Sequence, residues 1–377
     1  MEQKKLGFGM MRLPLTDPND QKSIDVAQVQ QMVDEYMAKG FNYFDTAWMY
    51  HRGVSETMVK ECLVGKYPRE SYTVTDKLPD YILRPDRTPQ DVFKTQLERT
   101  GLDYFDYYLI HDTNAASIGT FEDYHCFEFV EELLEKGLVK HIGLSHHDGP
   151  ELLEEILKRH PNFEFVQLQI NYLDWDSLGV RARECYEVAV KYGKKVLVME
   201  PVKGGTLAAV PDPVKNLFKE AEPDMSPASW AVRFAASLPE VYMVLSGMSN
   251  LEQLRDNMSY MEDFRPLDEK EMAVVRKATD LINENIAIPC TGCNYCTVDC
   301  PMNVQIPTVF SLYNADLQEA DFKPWSSHEE LYNNLVITEG IGVASDCIEC
   351  GACEDRCPQH LAIREHLKEV AAHFEGK

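Results

Sequence analysis

The sequence of 377 residues predicts a parallel (β/α)8 barrel, or TIM barrel, followed by a small α+β domain rich in cysteine. Over the first 260 residues, short β-branched or aromatic runs alternate with longer amphipathic stretches, as in βα units on a parallel sheet. Eight of the eleven cysteines lie after position 289. We therefore expect the barrel over residues 1–279 and the second domain over residues 280–377.

Eight runs have the length and composition of strands, and eight helical stretches follow them. The predicted strands cover residues 6–11, 41–45, 72–75, 105–110, 139–144, 165–170, 195–199 and 241–246. Predicted helices include 26–39, 128–136, 150–159, one beginning near Leu251, and 267–285, which leads out of the barrel. An open doubly wound sheet is the alternative, but it usually has a glycine-rich turn after its first strand. The segment after the first strand here, beginning at Arg12, contains no glycine cradle.

The formal charge of −25 and the apolar share of 44% describe an acidic protein with a large core. Such a charge repels phosphate backbones and anionic lipids, so we expect neither a nucleic-acid nor a membrane partner. The sequence has no apolar run near the roughly 20 residues of a membrane span and no signal-peptide core at its start, which predicts a cytoplasmic protein. Three scattered cysteines, Cys62, Cys126 and Cys185, are expected to be buried apolar residues.

Reactive side chains follow three neighbouring predicted strands, where the active sites of (β/α)8 barrels lie. Asp45 and Tyr50 follow the second strand, Lys77 ends the third and His111 ends the fourth. These residue types suit carbonyl reduction, because the oxygen that becomes negative needs a proton donor and a hydrogen-bond donor. Lys77 would favour the phenolate of Tyr50 and Asp45 would hold the lysine in place. His111 would orient the carbonyl oxygen.

The order of these four residues along the chain resembles the order found in the aldo-keto reductases. The resemblance covers roughly residues 5–260, in line with the usual barrel length of about 250 residues. It implies a small-molecule carbonyl or alcohol substrate and NADPH or NADH bound extended across the barrel mouth, without a Rossmann fingerprint. The cofactor contacts that the resemblance implies are Ser145, Gln167, Met199, Gly247, Gln253 and Asn257.

Four positions depart from that family's pattern. His146 stands where the family usually has Asn, and Met199 stands where an aromatic ring commonly stacks on the nicotinamide. Gly247 and Gln253 are neutral where NADP-preferring members place Lys or Arg, so the choice between NADH and NADPH stays open. Arg255 and Lys203 are candidates to compensate, although both are expected to be ordinary surface residues.

The C-terminal cysteines form two complete copies of the pattern C-x2-C-x2-C-x3-C-P. The first copy contains Cys290, Cys293, Cys296 and Cys300, and the second contains Cys347, Cys350, Cys353 and Cys357. The pattern resembles that of ferredoxins with two 4Fe-4S clusters, in which the fourth cysteine of each copy binds the other cluster. The resemblance implies one cluster on Cys290, Cys293, Cys296 and Cys357 and the other on Cys347, Cys350, Cys353 and Cys300. Structural zinc is the alternative, but zinc sites need only cysteine pairs.

Residues 301–346 separate the two cysteine runs by more than in compact ferredoxins, and include a predicted helix over 327–334. We expect this insert to pack on the barrel or cover its mouth.

Hydride transfer moves two electrons, whereas each cluster passes one. Three accounts remain open. The barrel could be an NAD(P)H-dependent carbonyl reductase whose clusters store electrons or exchange them with a ferredoxin or flavoprotein. It could instead be a reductase driven by ferredoxin, without nicotinamide hydride. Finally, the clusters could be structural or oxygen-sensing.

Overall fold

A computed structural model of the chain describes residues 4–284, 286–290, 292–318, 326–338 and 340–376. Eight parallel strands form a closed barrel in sequence order, as the sequence predicted. The strands are β1 (Leu6–Gly9), β2 (Tyr43–Asp45), β3 (Thr73–Leu78), β4 (Phe105–Thr113), β5 (Val139–His146), β6 (Phe165–Gln169), β7 (Lys195–Met199) and β8 (Val241–Gly247). The barrel closes between β8 and β1, where Phe8 lies opposite Ser246.

Amphipathic helices surround the barrel and bury their apolar faces against it. They are α1 (Val26–Ala38), α2 (Ser55–Cys62), α3 (Pro89–Thr100), α4 (Ile118–Asp123), α5 (Cys126–Glu135), α6 (Pro150–Arg159), α7 (Ala182–Lys191), α8 (Asp212–Ala221), α9 (Pro227–Ser237), α10 (Leu251–Met261) and α11 (Glu269–Asn283). The three scattered cysteines are buried in this layer, as predicted. None of the helices in the described ranges is both long enough and apolar enough to span a membrane.

Side chains from several strands fill the interior of the barrel, so it is a packed core and not a channel. One buried cluster comprises Tyr43, Tyr107, Leu109, Phe165, Leu197, Met243 and Leu245. Polar residues at the carboxyl ends of the strands, including Asp45 and Lys77, are buried as well. The mouth of the barrel therefore carries polar groups that are largely removed from water.

Strand β4 runs three residues beyond its predicted end at Ile110. Its pairing with β5 is irregular between Ile110 and Thr113, where Asp112 has a left-handed φ of 63°. Aspartate tolerates this conformation better than most residues because its short polar side chain can form local hydrogen bonds. The irregularity places His111 inside the strand and turns Asp112 out of the regular ladder.

The C-terminal domain has its own apolar core, which includes Cys296 and Cys353. Its helices are α12 (Ile306–Leu317), α13 (Ser327–Ile337), α14 (Ala352–Asp355) and α15 (Ile363–Phe374). Within the described ranges, its β structure is an isolated bridge between Val304 and Gly342. The predicted helix over 327–334 corresponds to α13, and the predicted domain boundary near residue 280 falls within α11.

Gly143 on β5 lies where the barrel wall has no room for a side chain. A Cβ at this position would lie 2.4 Å from the carbonyl oxygen of Phe165 and 2.8 Å from Cδ2 of Leu109. We expect Gly143→Ala to lower the free energy of unfolding by about 1 to 3 kcal/mol, because the neighbouring strand backbone must move. Urea unfolding followed by tryptophan fluorescence measures this change.

Gly119→Ala on α4 is the matched control, because in the described ranges no atom outside its chain neighbours and its own helix backbone lies within 4 Å of its added Cβ. Alanine in a helix is favoured over glycine by roughly 0.5 to 1 kcal/mol, so this variant should unfold at the same or a higher urea concentration. Equal stability of the two variants would contradict the close approach of β5 and β6.

Candidate active site

A buried lysine at the end of β3 organises the polar residues of the barrel mouth. Lys77 Nζ donates to Asp45 Oδ1 at 2.7 Å and to the carbonyl oxygen of Thr46 at 2.8 Å. The phenol oxygen of Tyr50 lies 3.3 Å from the same nitrogen. Asp45 ends β2, so neighbouring strands bring the two charges together and Tyr50 joins them from the turn that follows.

That turn, Tyr50–Gly53, is held by its second residue. His51 has a left-handed φ of 51°, and its Nε2 accepts the backbone N–H of Leu13 at 3.0 Å. The Nδ1 of the same ring contacts the carbonyl oxygen of Gln21 at 2.8 Å. Two contacts to the loop after β1 therefore fix the turn that carries Tyr50.

Burial and the lysine charge act in opposite directions on the phenol. Burial raises the pKa of Tyr50 above its ordinary value, and the nearby charge of Lys77 lowers this pKa only in part. For Lys77, burial lowers the pKa, but Asp45 and Tyr50 outweigh it and the pKa is raised. The expectation that Lys77 favours the phenolate therefore describes only one of the two effects. Tyr50 is a protonated phenol at neutral pH.

His111 lies in β4 with its ring centroid 6.3 Å from that of Tyr50. Burial, and then the charge of Lys77, lower the pKa of His111 to about 3. Its Nδ1 is buried without a hydrogen-bond partner among the described residues. The ring is therefore neutral at physiological pH and can donate a single N–H.

A cavity of about 890 Å³ opens at the barrel mouth beside Tyr50. Its walls also include Trp48, Arg12, Glu200, Gly204, Ser249 and Ser327. The six predicted cofactor contacts are not among the described residues that line it. Sequence patterns did not identify Arg12 or Ser327, because Arg12 follows a strand without a motif and Ser327 comes from the second domain.

Three predicted cofactor contacts lie on β5, β6 and β7. The hydroxyl of Ser145 contacts Nε2 of His147 at 3.1 Å. Gln167 Nε2 donates to the sulfur of Met199 at 3.4 Å, and Gln167 Oε1 is buried without a partner among the described residues. An unpaired buried carbonyl oxygen fits a carboxamide N–H of nicotinamide, since leaving it unpaired is costly. His146 bonds through both ring nitrogens, to Thr113 and to the carbonyl of Gly149.

The other three predicted contacts follow β8. Gly247 packs against the side chain of Arg12, which its added Cβ would meet at 3.2 Å. The Oε1 of Gln253 accepts the backbone N–H of Ser249 at 2.7 Å. Asn257 donates to the hydroxyl of Ser246 at 2.7 Å and accepts from Tyr260 at 2.5 Å. The amide of Asn257 is therefore engaged within the protein.

Two basic residues were considered for a cofactor phosphate, and both were expected at the surface. One of them, Lys203, is buried instead. Lys203 is fully buried, and its Nζ contacts both carboxylate oxygens of Asp174 at 2.9 Å and His328 Nε2 at 3.1 Å. The surface prediction for Lys203 was wrong because α13 covers it from a distant part of the sequence. Arg255 pairs with Glu35 on α1 through two contacts of 2.8 and 2.7 Å.

The C-terminal domain packs directly onto the barrel mouth. Ser327 and His328 begin α13, and Glu330 on the same helix accepts from Asn114 Nδ2 at 2.7 Å. The hydroxyl groups of Ser177 and Ser311 lie 3.0 Å apart. The insert between the cysteine runs thus packs on the barrel and contributes to the wall of its cavity, in agreement with the expectation.

The eight clustered cysteines line two small cavities, four in each. One is lined by Cys290, Cys293, Cys296 and Cys357, and the other by Cys347, Cys350, Cys353 and Cys300. Each cavity thus receives three cysteines from one run and the fourth cysteine of the other run. Four thiolates around an apolar cavity fit a 4Fe-4S cluster.

Comparison with known proteins agrees with this architecture. The family model "Aldo/keto reductase family" matches residues 5–280, and the model "4Fe-4S dicluster domain" matches residues 289–362. The uncharacterized oxidoreductase YqkF of Bacillus subtilis is 25% identical over 73% of this chain and 92% of its own length. The chain belongs to the aldo/keto reductase family and carries a C-terminal 4Fe-4S domain.

Solved structures show the same barrel. The holo form of aldo-keto reductase AKR11C1 from Bacillus halodurans is 25% identical, with a TM-score of 0.60 over 73% of this chain and 91% of that one. An aldo-keto reductase from Klebsiella pneumoniae in complex with NADPH is 18% identical, with a TM-score of 0.55 over 74% of this chain and 95% of that one. The protein is thus an oxidoreductase by family, with an iron–sulfur domain added after the barrel.

The crossed lining of the two cavities predicts which cysteines act together. If each cavity binds one 4Fe-4S cluster, Cys357→Ala should remove the cluster that Cys290, Cys293 and Cys296 also bind, so iron falls from about eight to about four atoms per chain. Cys293→Ala should remove the same cluster as Cys357→Ala, so both variants keep the cluster of the second run. Cys350→Ala should instead keep the cluster of the first run. EPR spectra of the three reduced variants compare the remaining clusters. A Cys357→Ala spectrum that matches Cys350→Ala would show that each run binds its own cluster.

Proposed function

We propose that the barrel is an NAD(P)H-dependent reductase of a small carbonyl compound or, in the reverse direction with NAD(P)⁺ as hydride acceptor, a dehydrogenase of the corresponding alcohol. The observation that carries this proposal is the contact of Tyr50 with the buried Lys77–Asp45 pair, with the neutral His111 close by. These groups can supply the proton and the hydrogen bond that carbonyl reduction needs. The proposal divides the chain into a barrel over residues 1–279 and an iron–sulfur domain over residues 280–377.

In this mechanism Tyr50 is the proton donor. When bound, NAD(P)H supplies hydride to the carbonyl carbon. Tyr50 then transfers its phenolic proton to the carbonyl oxygen, and the adjacent ammonium of Lys77 stabilises the phenolate that remains. Asp45 keeps the ammonium in place through its 2.7 Å contact. His111 is neutral, so it donates a hydrogen bond from its N–H to the carbonyl oxygen and does not act as the proton donor.

The proposed cofactor contacts are Ser145, Gln167, Met199, Gly247, Gln253 and Asn257. The free Oε1 of Gln167 supports a carboxamide contact, while Asn257 would have to give up a hydrogen bond to contact adenine. Arg12 is the candidate for a cofactor phosphate, because it lines the cavity and packs against Gly247. Its guanidinium lies 3.8 Å from Glu200, which would weaken its hold on a phosphate.

We further propose that the C-terminal domain holds two 4Fe-4S clusters that exchange electrons with a ferredoxin or a flavoprotein. Two clusters together can hold the two electrons that one hydride carries. The contact between the domains supports this role. An added Cβ on Gly292, in the first cysteine run, would lie 2.6 Å from Cδ1 of Leu178 in the barrel, so the backbone of this run approaches the barrel closely.

A second candidate is a reductase driven by ferredoxin, in which the barrel uses no nicotinamide hydride. The engaged amide of Asn257 and the two contacts of His146 favour it, because these groups are less free to bind a nucleotide. The intact tetrad, which is Asp45, Tyr50, Lys77 and His111, would then supply protons only.

Tyr50→Phe should abolish carbonyl reduction while leaving nucleotide binding in place. Removing the proton donor typically costs about 10² to 10⁴ in kcat. The experiment uses protein purified without oxygen, with both clusters present. NADH and NADPH oxidation is measured with a panel of aldehydes and ketones, and nucleotide binding is measured by fluorescence titration.

Tyr124→Phe, at the end of α4 in the outer helix layer, is the matched control and should keep full activity. Full activity of Tyr50→Phe would exclude this residue as the proton donor. If the unchanged protein binds neither nucleotide while reduced ferredoxin reduces its clusters, the ferredoxin-driven candidate replaces the first.

The pKa values of His111 and Tyr50 predict the pH profile of reduction. His111, with a pKa of about 3, should cause no change in kcat/KM between about pH 5 and pH 8, where an ordinary histidine titrates. Reduction requires the protonated phenol, so activity should persist below the raised pKa of Tyr50 and fall as the pH rises through it. A step near pH 6.5 that disappears in His111→Asn would contradict a neutral histidine.

A further inference from the structure

A second polar cluster lies at the barrel mouth, next to the tetrad but outside the mechanism above. Asp112 of β4, His147 after β5 and Glu330 of α13 each direct one ligand atom toward the others. These two carboxylate oxygens and one ring nitrogen all lie within 4.8 Å of one another. All three residues are half-buried. Two come from the barrel and the third from the iron–sulfur domain.

Neighbouring side chains hold the three residues in place. Asn114 Nδ2 donates to Asp112 Oδ1 at 2.9 Å and to Glu330 Oε1 at 2.7 Å. The hydroxyl of Ser145 contacts Nε2 of His147 at 3.1 Å. Contacts of this kind orient the ligands in metal sites and raise their affinity. The cluster is therefore fixed by groups that do not themselves belong to it.

Two adjacent carboxylates are unfavourable unless a proton or a cation lies between them. Glu330 Oε2 is buried and has no hydrogen-bond partner among the residues that the structure describes. Asp148 adds negative charge nearby, but its two oxygens accept the backbone N–H groups of Ala115 at 2.8 Å and Gly149 at 2.6 Å.

We propose that Asp112, His147 and Glu330 bind a divalent transition-metal ion that joins the barrel to the iron–sulfur domain. One imidazole and two carboxylates suit Mn²⁺, Fe²⁺ or Zn²⁺, whereas Ca²⁺ and Mg²⁺ prefer oxygen ligands alone. Three protein ligands leave positions free for water or a substrate oxygen. The inference stands apart from the proposed reductase activity, because it rests only on these ligands and the groups that hold them.

Titration with Mn²⁺ tests this site. The protein is purified under nitrogen with its clusters oxidised, and binding is followed by loss of the EPR signal of free Mn²⁺. We expect one Mn²⁺ bound per chain, and Glu330→Gln should weaken this binding by roughly 10- to 100-fold. Mn²⁺ should also raise the unfolding temperature of the unchanged protein, because a bound ion stabilises the folded state.

Glu329→Gln is the matched control, since this exposed carboxylate is next to Glu330 on α13 and should leave Mn²⁺ binding unchanged. Asp112→Asn is a second ligand variant, because asparagine tolerates the left-handed backbone at this position. It should also weaken Mn²⁺ binding. If the unchanged protein leaves the Mn²⁺ signal intact, or if both ligand variants bind as tightly as Glu329→Gln, the cluster is a carboxyl pair that shares a proton and the proposal is wrong.

Discussion

The ion pair between Lys77 and Asp45 is the contact on which the rest of the barrel mouth depends. Lys77 has no exposed surface, and a buried charge without a partner costs several kcal/mol. Asp45 is its counter-ion, Thr46 supplies a carbonyl oxygen and Tyr50 completes the surroundings of the ammonium. Because β2 and β3 are paired with Asp45 opposite Thr75, the barrel register sets the positions of Asp45 and Lys77, while the turn after β2 places Tyr50.

Much of the barrel and its tetrad could be predicted from local sequence. Strands and helices of a (β/α)8 barrel have periodic patterns, and barrel closure brings the ends of neighbouring strands together. The positions of Asp45, Lys77 and His111 follow from that rule alone. Details of the backbone were less predictable. The first predicted strand extends two residues too far, because Met10–Arg12 forms a short 3-10 helix. The irregularity at Asp112 has no sequence motif.

Packing of the insert on the barrel was predicted, but the residue pairs that form this contact could not be, because their partners are far apart in the sequence. Lysine is usually a surface residue, so its type predicted exposure for Lys203. The structure buries it against His328, which lies 125 positions away on α13. Asn114 and Glu330 are also in contact between the domains although they are 216 positions apart in the sequence. The cysteine runs are the opposite case. Their spacing and their resemblance to ferredoxins already imply the crossed sets that line the two cavities.

The crossed cysteine sets have a consequence for how the iron–sulfur domain is made and lost. In the proposed arrangement, a cluster held by both runs would work as a cross-link between residues near 290 and residues near 357. Neither cluster would have its full ligand set until both runs had been synthesised, so insertion of either cluster would follow translation through Cys357. Loss would be shared in the same way, because oxidation of one proposed cluster would release a segment that also carries a ligand of the other. Oxygen damage to this protein would therefore spread from one cluster to the next.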